Sequence, residues 1–123
     1  MAGQECGAVA VIDDDDGVRD ALRFVLEVAG FDVHSYRSAM AFLPEAEQCS
    51  WRCLVVDQHM PVLSGLELVA RLRCRGNLVP TLLITGSTSS DLVDRAAALG
   101  IGAVLEKPLV RGDLLRCLAE AAA

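Results

Sequence analysis

The sequence predicts an α/β domain, a five-stranded parallel sheet with helices on both faces, and three observations carry that reading. Short apolar runs of strand length alternate five times with stretches of helical periodicity. The first and third runs are apolar throughout, as strands covered on both faces are. Each run stops at polar or charged residues, and right-handed crossovers send all those strand ends to one edge.

The first strand is Val9-Ala10-Val11-Ile12, which breaks off at Asp13-Asp14-Asp15-Asp16. Helical spacing follows, with Val18, Leu22, Val25 and Ala29 on one face, Asp16 as the expected N-cap and Gly30 as the stop. Phe31 to Tyr36 is a more polar second strand, suited to a sheet edge. Ser38 caps a short helix through Phe42-Leu43 that Pro44 must end or kink. Trp51 leads into the third strand, Cys53–Val56, which delivers Asp57 to its end. The loop Gln58-His59-Met60-Pro61-Val62-Leu63 then runs to Ser64-Gly65-Leu66-Glu67, a capping box that opens a helix with Leu66, Val69 and Leu72 inward. Arg75-Gly76-Asn77 is its exit turn. Thr81–Thr85 is the fourth strand, followed by Gly86-Ser87-Thr88-Ser89-Ser90 and a helix from about Asp91 to Leu99 that Gly100 closes. Ala103-Val104-Leu105 is the fifth strand, ending at Glu106-Lys107-Pro108. The last helix runs from about Gly112 to Ala122, with Leu115, Leu118 and Ala122 aligned.

Composition narrows the function. A chain of 123 residues is one domain, large enough to bury a core without staples. With 53% apolar residues it is not disordered, and with 4% aromatic its core must be aliphatic. No apolar run approaches the ~20 residues of a membrane span, and no basic-then-apolar leader opens the chain, so the expected location is cytoplasmic. The net charge of -6 and scattered basic residues argue against direct contact with nucleic acid. The five cysteines (Cys6, Cys49, Cys53, Cys74, Cys117) contain no CxxC pair and read as thiols rather than zinc ligands.

In such a sheet the site lies where the strand order reverses, between the first and third strands of the order 2-1-3-4-5. Asp13 and Asp14, Asp57, Thr85 and Lys107 all arrive there. Strands ~4.8 Å apart let Asp14 and Asp57 share one small hard cation, for which magnesium (Mg2+) fits best. Lys107 adds a positive charge on the far side, Thr85 a hydroxyl donor, and Gly86 leaves room beside it. A phosphoryl group placed against Asp57 would meet a cation, an ammonium and a hydroxyl, the requirement for phosphoryl transfer to a carboxylate.

These residues resemble the receiver domain of two-component response regulators. The matching segments are Ile12-Asp13-Asp14-Asp15, Val56-Asp57-Gln58-His59-Met60-Pro61 with Gly65 further on, Leu83-Ile84-Thr85-Gly86, and Glu106-Lys107-Pro108. They occur in order at four strand ends, and the likeness runs from about residue 8 to the end. It implies the flavodoxin-like receiver fold and phosphorylation of Asp57 by a sensor histidine kinase or phosphotransfer protein. It also implies magnesium held by Asp14, Asp57 and the His59 backbone carbonyl with help from Asp13, Lys107 paired with the phosphoryl group, and Thr85 as the moving switch. Such a chain is a signalling switch, not an enzyme that turns over a small molecule. The Lys107-Pro108 peptide is commonly cis in the family. A homodimer through the face of the fourth helix, fifth strand and last helix is compatible with it. The expected organisation is a single receiver domain over residues 1–123, with residues 1–7 as a tail and no output domain. A stand-alone receiver and the N-terminal part of a longer, DNA-binding regulator both fit. One position departs from the family: receivers usually carry Tyr or Phe where this chain has Val104, so the relay to that face is atypical while the chemistry at Asp57 is not affected.

Blander readings stand beside these. Asp15 and Asp16 read as solvated or capping. His59 and Ser87, each two residues after a site residue, border the pocket, where they could tune water access, or are simply exposed. His34 reads as structural or exposed, and Trp51 and Cys53 as core. The competing function is a small magnesium-dependent phosphatase of the haloacid dehalogenase type with Asp13 as nucleophile. It expects Thr or Val where Gly17 stands and leaves Asp57 without a role. A flavin module would need a phosphate-cradling loop where four aspartates stand, and an EF-hand register puts Ile12 at the first ligand position.

Overall fold

A computed structural model describes residues 4, 5 and 7–121. The central sheet contains β1 (Val9–Ile12), β2 (Val33–Tyr36), β3 (Cys53–Asp57), β4 (Thr81–Thr85) and β5 (Ala103–Glu106). All its pairings are parallel, in the order β2-β1-β3-β4-β5 that the sequence predicts. Between the strands run α1 (Asp16–Val28), α2 (Ala39–Phe42, continued by a 3₁₀ turn over Leu43–Glu45), α3 (Gly65–Cys74) and α4 (Ser90–Ala98), and α5 (Arg111–Ala121) closes the chain. Part of the expected tail is ordered differently: Gln4–Glu5 pairs in parallel with Cys49–Ser50. Cys6 and Ala122 lie outside the described residues.

The two sheet faces divide the strand residues alternately. Ala10, Ile12, Leu54, Val56 and Leu83 share one core cluster with α2, α3 and α4 side chains such as Phe42, Leu66, Leu68, Val69, Leu72 and Leu92. Val9, Val11, Val55, Leu82 and Ile84 face the other way, onto Leu22 and Leu26 of α1 and Leu114 and Leu118 of α5. This two-sided burial explains why the strands carry no polar alternation, and each such side chain contributes roughly 1.5–3 kcal/mol.

Helix ends differ from expectation by a residue or two, for local reasons. Asp15, not Asp16, is the N-cap of α1, its carboxylate accepting from the Val18 N–H at 3.0 Å. Any of four consecutive aspartates has the chemistry to cap, and Asp15, with extended backbone, does so. The inward face of α1 centres on Leu22 and Leu26, while Ala29 is exposed. In α5 the buried pair is Leu114 and Leu118, with Leu115 only half-buried. Three helices end alike: Gly30, Gly76 and Gly100 take positive φ, and the next residue (Phe31, Asn77 or Ile101) donates back to Leu26, Leu72 or Ala96. Phe31 therefore belongs to the exit of α1, and β2 starts at Val33 rather than at Phe31. Among the described residues no helix is long and apolar enough to cross a membrane.

Candidate functional site

Register assembles the site. Ile12 of β1 pairs with Val56 of β3, so the next residues, Asp13 and Asp57, leave adjacent strand ends side by side. Thr85 pairs with Glu106, which sets Lys107 at the same edge. The Lys107 N–H donates to the Thr85 carbonyl at 2.8 Å, and the Lys107-Pro108 peptide is cis.

Asp57 is 4% exposed and Asp13 1%, while Asp14 is exposed. One carboxylate oxygen from each of these three residues lies within 4.8 Å of the other two. Asp13 Oδ1 accepts from the Asp15 N–H at 2.9 Å. Asp13 Oδ2 and Asp57 Oδ1, by contrast, are buried with no hydrogen-bond donor. Among the described residues, the cation in ion-pair contact with them is the Lys107 ammonium, 3.8 Å from Asp13 Oδ2 and 3.4 Å from Asp57 Oδ1. Buried carboxylate oxygens without donors are costly unless a cation serves them. Burial raises the Asp13 pKa above the usual carboxylate value, and the Asp57 and Asp14 charges push the same way. The Asp15 N–H and Lys107 offset part of this. A hard divalent cation among these oxygens fits the donor set, because oxygen ligands of net negative charge are what magnesium takes.

Thr85 is buried, and its hydroxyl is already engaged. It donates to the Ser87 carbonyl at 2.9 Å, accepts from the Ser87 N–H at 3.3 Å, and lies 3.3 Å from His59 Nε2. The exposed His59 side chain thus borders the pocket through Thr85, and Ser87 meets Thr85 through its backbone. Gly86 is exposed, and a Cβ there would meet nothing within 4 Å. The space beside residue 86 is open in this structure. Val104 is half-buried against the cluster under α3 and α4. His34 packs edge-on against Trp51 at 5.5 Å, and burial pushes the Cys53 thiol up to about 12, which leaves it inert at neutral pH.

Two residues that the sequence reading passed over hold the site's backbone. Arg19 donates from Nη1 to the Asp13 carbonyl at 2.8 Å and contacts Asp16 with its other terminal nitrogen. Gln58, between Asp57 and His59, accepts from the Leu66 N–H at 2.9 Å through Oε1. The contacts that reach the site's loops, Arg19 to the Asp13 carbonyl and Gln58 to the Leu66 N–H, are with main-chain atoms, which no residue pattern displays. A buried, donor-poor carboxylate beside an ammonium and two further acids is suited to accepting an electrophile such as phosphorus.

Known proteins share this fold. Residues 9–119 match the family described as the response regulator receiver domain, and the chain belongs to that family. It is 40% identical over 116 residues to the transcriptional regulatory protein FixJ of Bradyrhizobium diazoefficiens, covering 94% of this chain and 56% of that protein. It is 43% identical over 100 residues to FixJ of Azorhizobium caulinodans, covering 81% of this chain and 47% of that protein. The crystal structure of FixJ-N superposes with a TM-score of 0.86 at 31% identity, covering 99% of this chain and 95% of that one. The chain thus spans about half the length of the curated relatives it matches. The haloacid dehalogenase reading finds no support among these relatives.

Proposed function

We propose that this receiver domain accepts a phosphoryl group on Asp57 from a phosphohistidine of a sensor kinase or phosphotransfer protein, with magnesium, and acts as the switch of a regulator. The observation that carries the reading is Asp57 Oδ1 itself: buried, without a hydrogen-bond donor, and 3.4 Å from Lys107 Nζ. Asp57 attacks phosphorus, a P–O bond forms, and the P–N bond to the donor imidazole breaks with its electron pair returning to that ring. Lys107 neutralises charge on the phosphoryl oxygens from one side. Asp14, Asp57 and the His59 carbonyl would hold magnesium, with Asp13 assisting. When bound, it offsets negative charge among the carboxylates and phosphoryl oxygens.

Thr85 is the switch in this reading. To donate to a phosphoryl oxygen its hydroxyl must give up the Ser87 carbonyl. That exchange would reshape the loop before α4 and so alter the face of α4, β5 and α5, through which two phosphorylated copies could pair.

Acetyl phosphate with MgCl2 tests the chemistry. The expected product is a mass gain of one phosphoryl group, labile to hydroxylamine, that disappears in Asp57→Asn and when magnesium is chelated. An adduct that persists in Asp57→Asn would place the acceptor elsewhere. Lys107→Met should lower the rate of phosphorylation by about a hundred- to a thousandfold, the range for losing one preorganised donor to a developing oxyanion.

A further inference from the structure

We propose that Gln58 is a positioning residue that clamps the metal-binding loop and so fixes the direction of the His59 backbone carbonyl. The inference rests on the magnesium reading of the acid cluster. Gln58 is the single residue between two of the proposed ligands, and its main chain and side chain are tied to two different elements. Its N–H donates to the Ile84 carbonyl of β4 at 2.7 Å. Its carbonyl accepts from the Gly65 N–H at 3.1 Å, and its Oε1 accepts from the Leu66 N–H at 2.9 Å, both at the start of α3.

A helix N-terminus leaves a set of amides without partners inside the helix. In α3 the capping box serves two of them, with Ser64 Oγ accepting from Glu67 N–H and Glu67 Oε1 from Ser64 N–H. Gln58 serves the Gly65 and Leu66 amides from across the loop. A residue inside the helix start could supply such a cap without spanning the loop. Doing so from position 58 ties both ends of the loop together beside Asp57 and leaves the intervening backbone little freedom to turn the His59 carbonyl away. Gly65 reinforces the closure, because its Cα packs where a Cβ would lie 2.8 Å from the Asp57 carbonyl oxygen.

A cap acts on stability alone, whereas a clamp acts on metal affinity as well, and titration calorimetry with MgCl2 separates the two. Gln58→Met keeps the side-chain length and removes the acceptor. It is expected to weaken magnesium binding about tenfold, the low end for losing a group that orients a ligand. Gln58→Glu keeps an acceptor for Leu66 N–H and is expected to bind at least as tightly as the parent. Urea unfolding of each variant checks that it is folded and reads the capping contribution separately. Parent-like magnesium affinity in a folded Gln58→Met, or binding in Gln58→Glu as weak as in Gln58→Met, would overturn the proposal. The parent and an Asp14→Ala variant are titrated alongside. Absence of magnesium binding by the parent, or parent-like binding by Asp14→Ala, would overturn the reading of the site and the clamp with it, an outcome distinct from failure of the clamp alone.

Discussion

Val62 holds its backbone at φ 72 although its side chain is 83% exposed, so no burial compensates for the conformation. The Leu63 N–H donates to the Pro61 carbonyl at 2.9 Å, making a γ-turn centred on Val62, and the positive-φ form of that turn is the strained one. The turn sends Leu63 into the core. Val62→Gly should keep the turn and raise the free energy of unfolding by up to about 1.6 kcal/mol. That figure is the ~1–2 kcal/mol of relieved left-handed strain less the ~0.4–1 kcal/mol of added freedom in the unfolded chain. A urea midpoint below the parent's would show that the exposed side chain has a stabilising contact. Asp13 offers a second test at this scale. Because burial raises its pKa, the folded metal-free chain binds more protons than the unfolded chain at pH values between the ordinary carboxylate pKa of 3.8 and the raised one. The stability linked to Asp13 is therefore full below 3.8 and is lost as pH rises through the folded pKa. Asp13→Asn should raise the melting temperature at pH 7 without magnesium, and the gain should shrink toward pH 3.8. A gain that grows on acidification would contradict the sign.

At the scale of the element, α3 is held against the site by the absence of a side chain. A Cβ on Gly65 would lie 2.7 Å from Leu83 Cδ1 and 2.8 Å from the Asp57 carbonyl oxygen, and the second contact is with backbone that cannot rotate away. Gly65→Ala should cost about 1–3 kcal/mol, as overpacking does, and should slow phosphorylation by acetyl phosphate because Asp57 shifts. Unfolding midpoints and labelling rates check the two parts, and an unchanged rate in a destabilised variant would separate α3 packing from the chemistry. Ser64 shows what the sequence made readable. The Ser-x-x-Glu spacing that marks a capping box is a local signal, and both of its hydrogen bonds form. The strand ends were readable for the same reason: apolar runs that stop at acids fix where β1 and β3 end. The α1 cap was not, since four equivalent aspartates can be told apart only by backbone angles. Arg19 and Gln58 were missed because each acts on main-chain atoms, Asp13 O and Leu66 N, whose positions exist only once the fold has formed.

Across the whole molecule, the proposed signal from Asp57 to the α4–β5–α5 face would cross from β4 to β5, and among the described residues two side-chain routes lead there. One is packing, through Val104, which is half-buried against the cluster shared with α3 and α4 and has no ring to reorient. The other is polar and lies at the loop before α4. Thr85 bonds the Ser87 backbone, its carbonyl accepts from Lys107 N–H, and Thr88 Oγ1 donates to Glu106 Oε1 at 3.0 Å, tying the same loop to the end of β5. Movement of Thr85 toward a phosphoryl group would pull first on Ser87 and then on this tie. Hydrogen exchange of the α4 amides, measured with and without acetyl phosphate and magnesium, distinguishes the routes. Val104→Ala is expected to leave the phosphorylation-dependent change in α4 intact, because truncating a β-branched side chain removes no reorienting group. Thr88→Val, which keeps the shape of threonine and removes the hydroxyl, is expected to diminish that change while Asp57 is still labelled at the parent's rate. Loss of the α4 response in Val104→Ala, with the response preserved in Thr88→Val, would assign the relay to packing and show that a small aliphatic side chain can carry it without an aromatic ring.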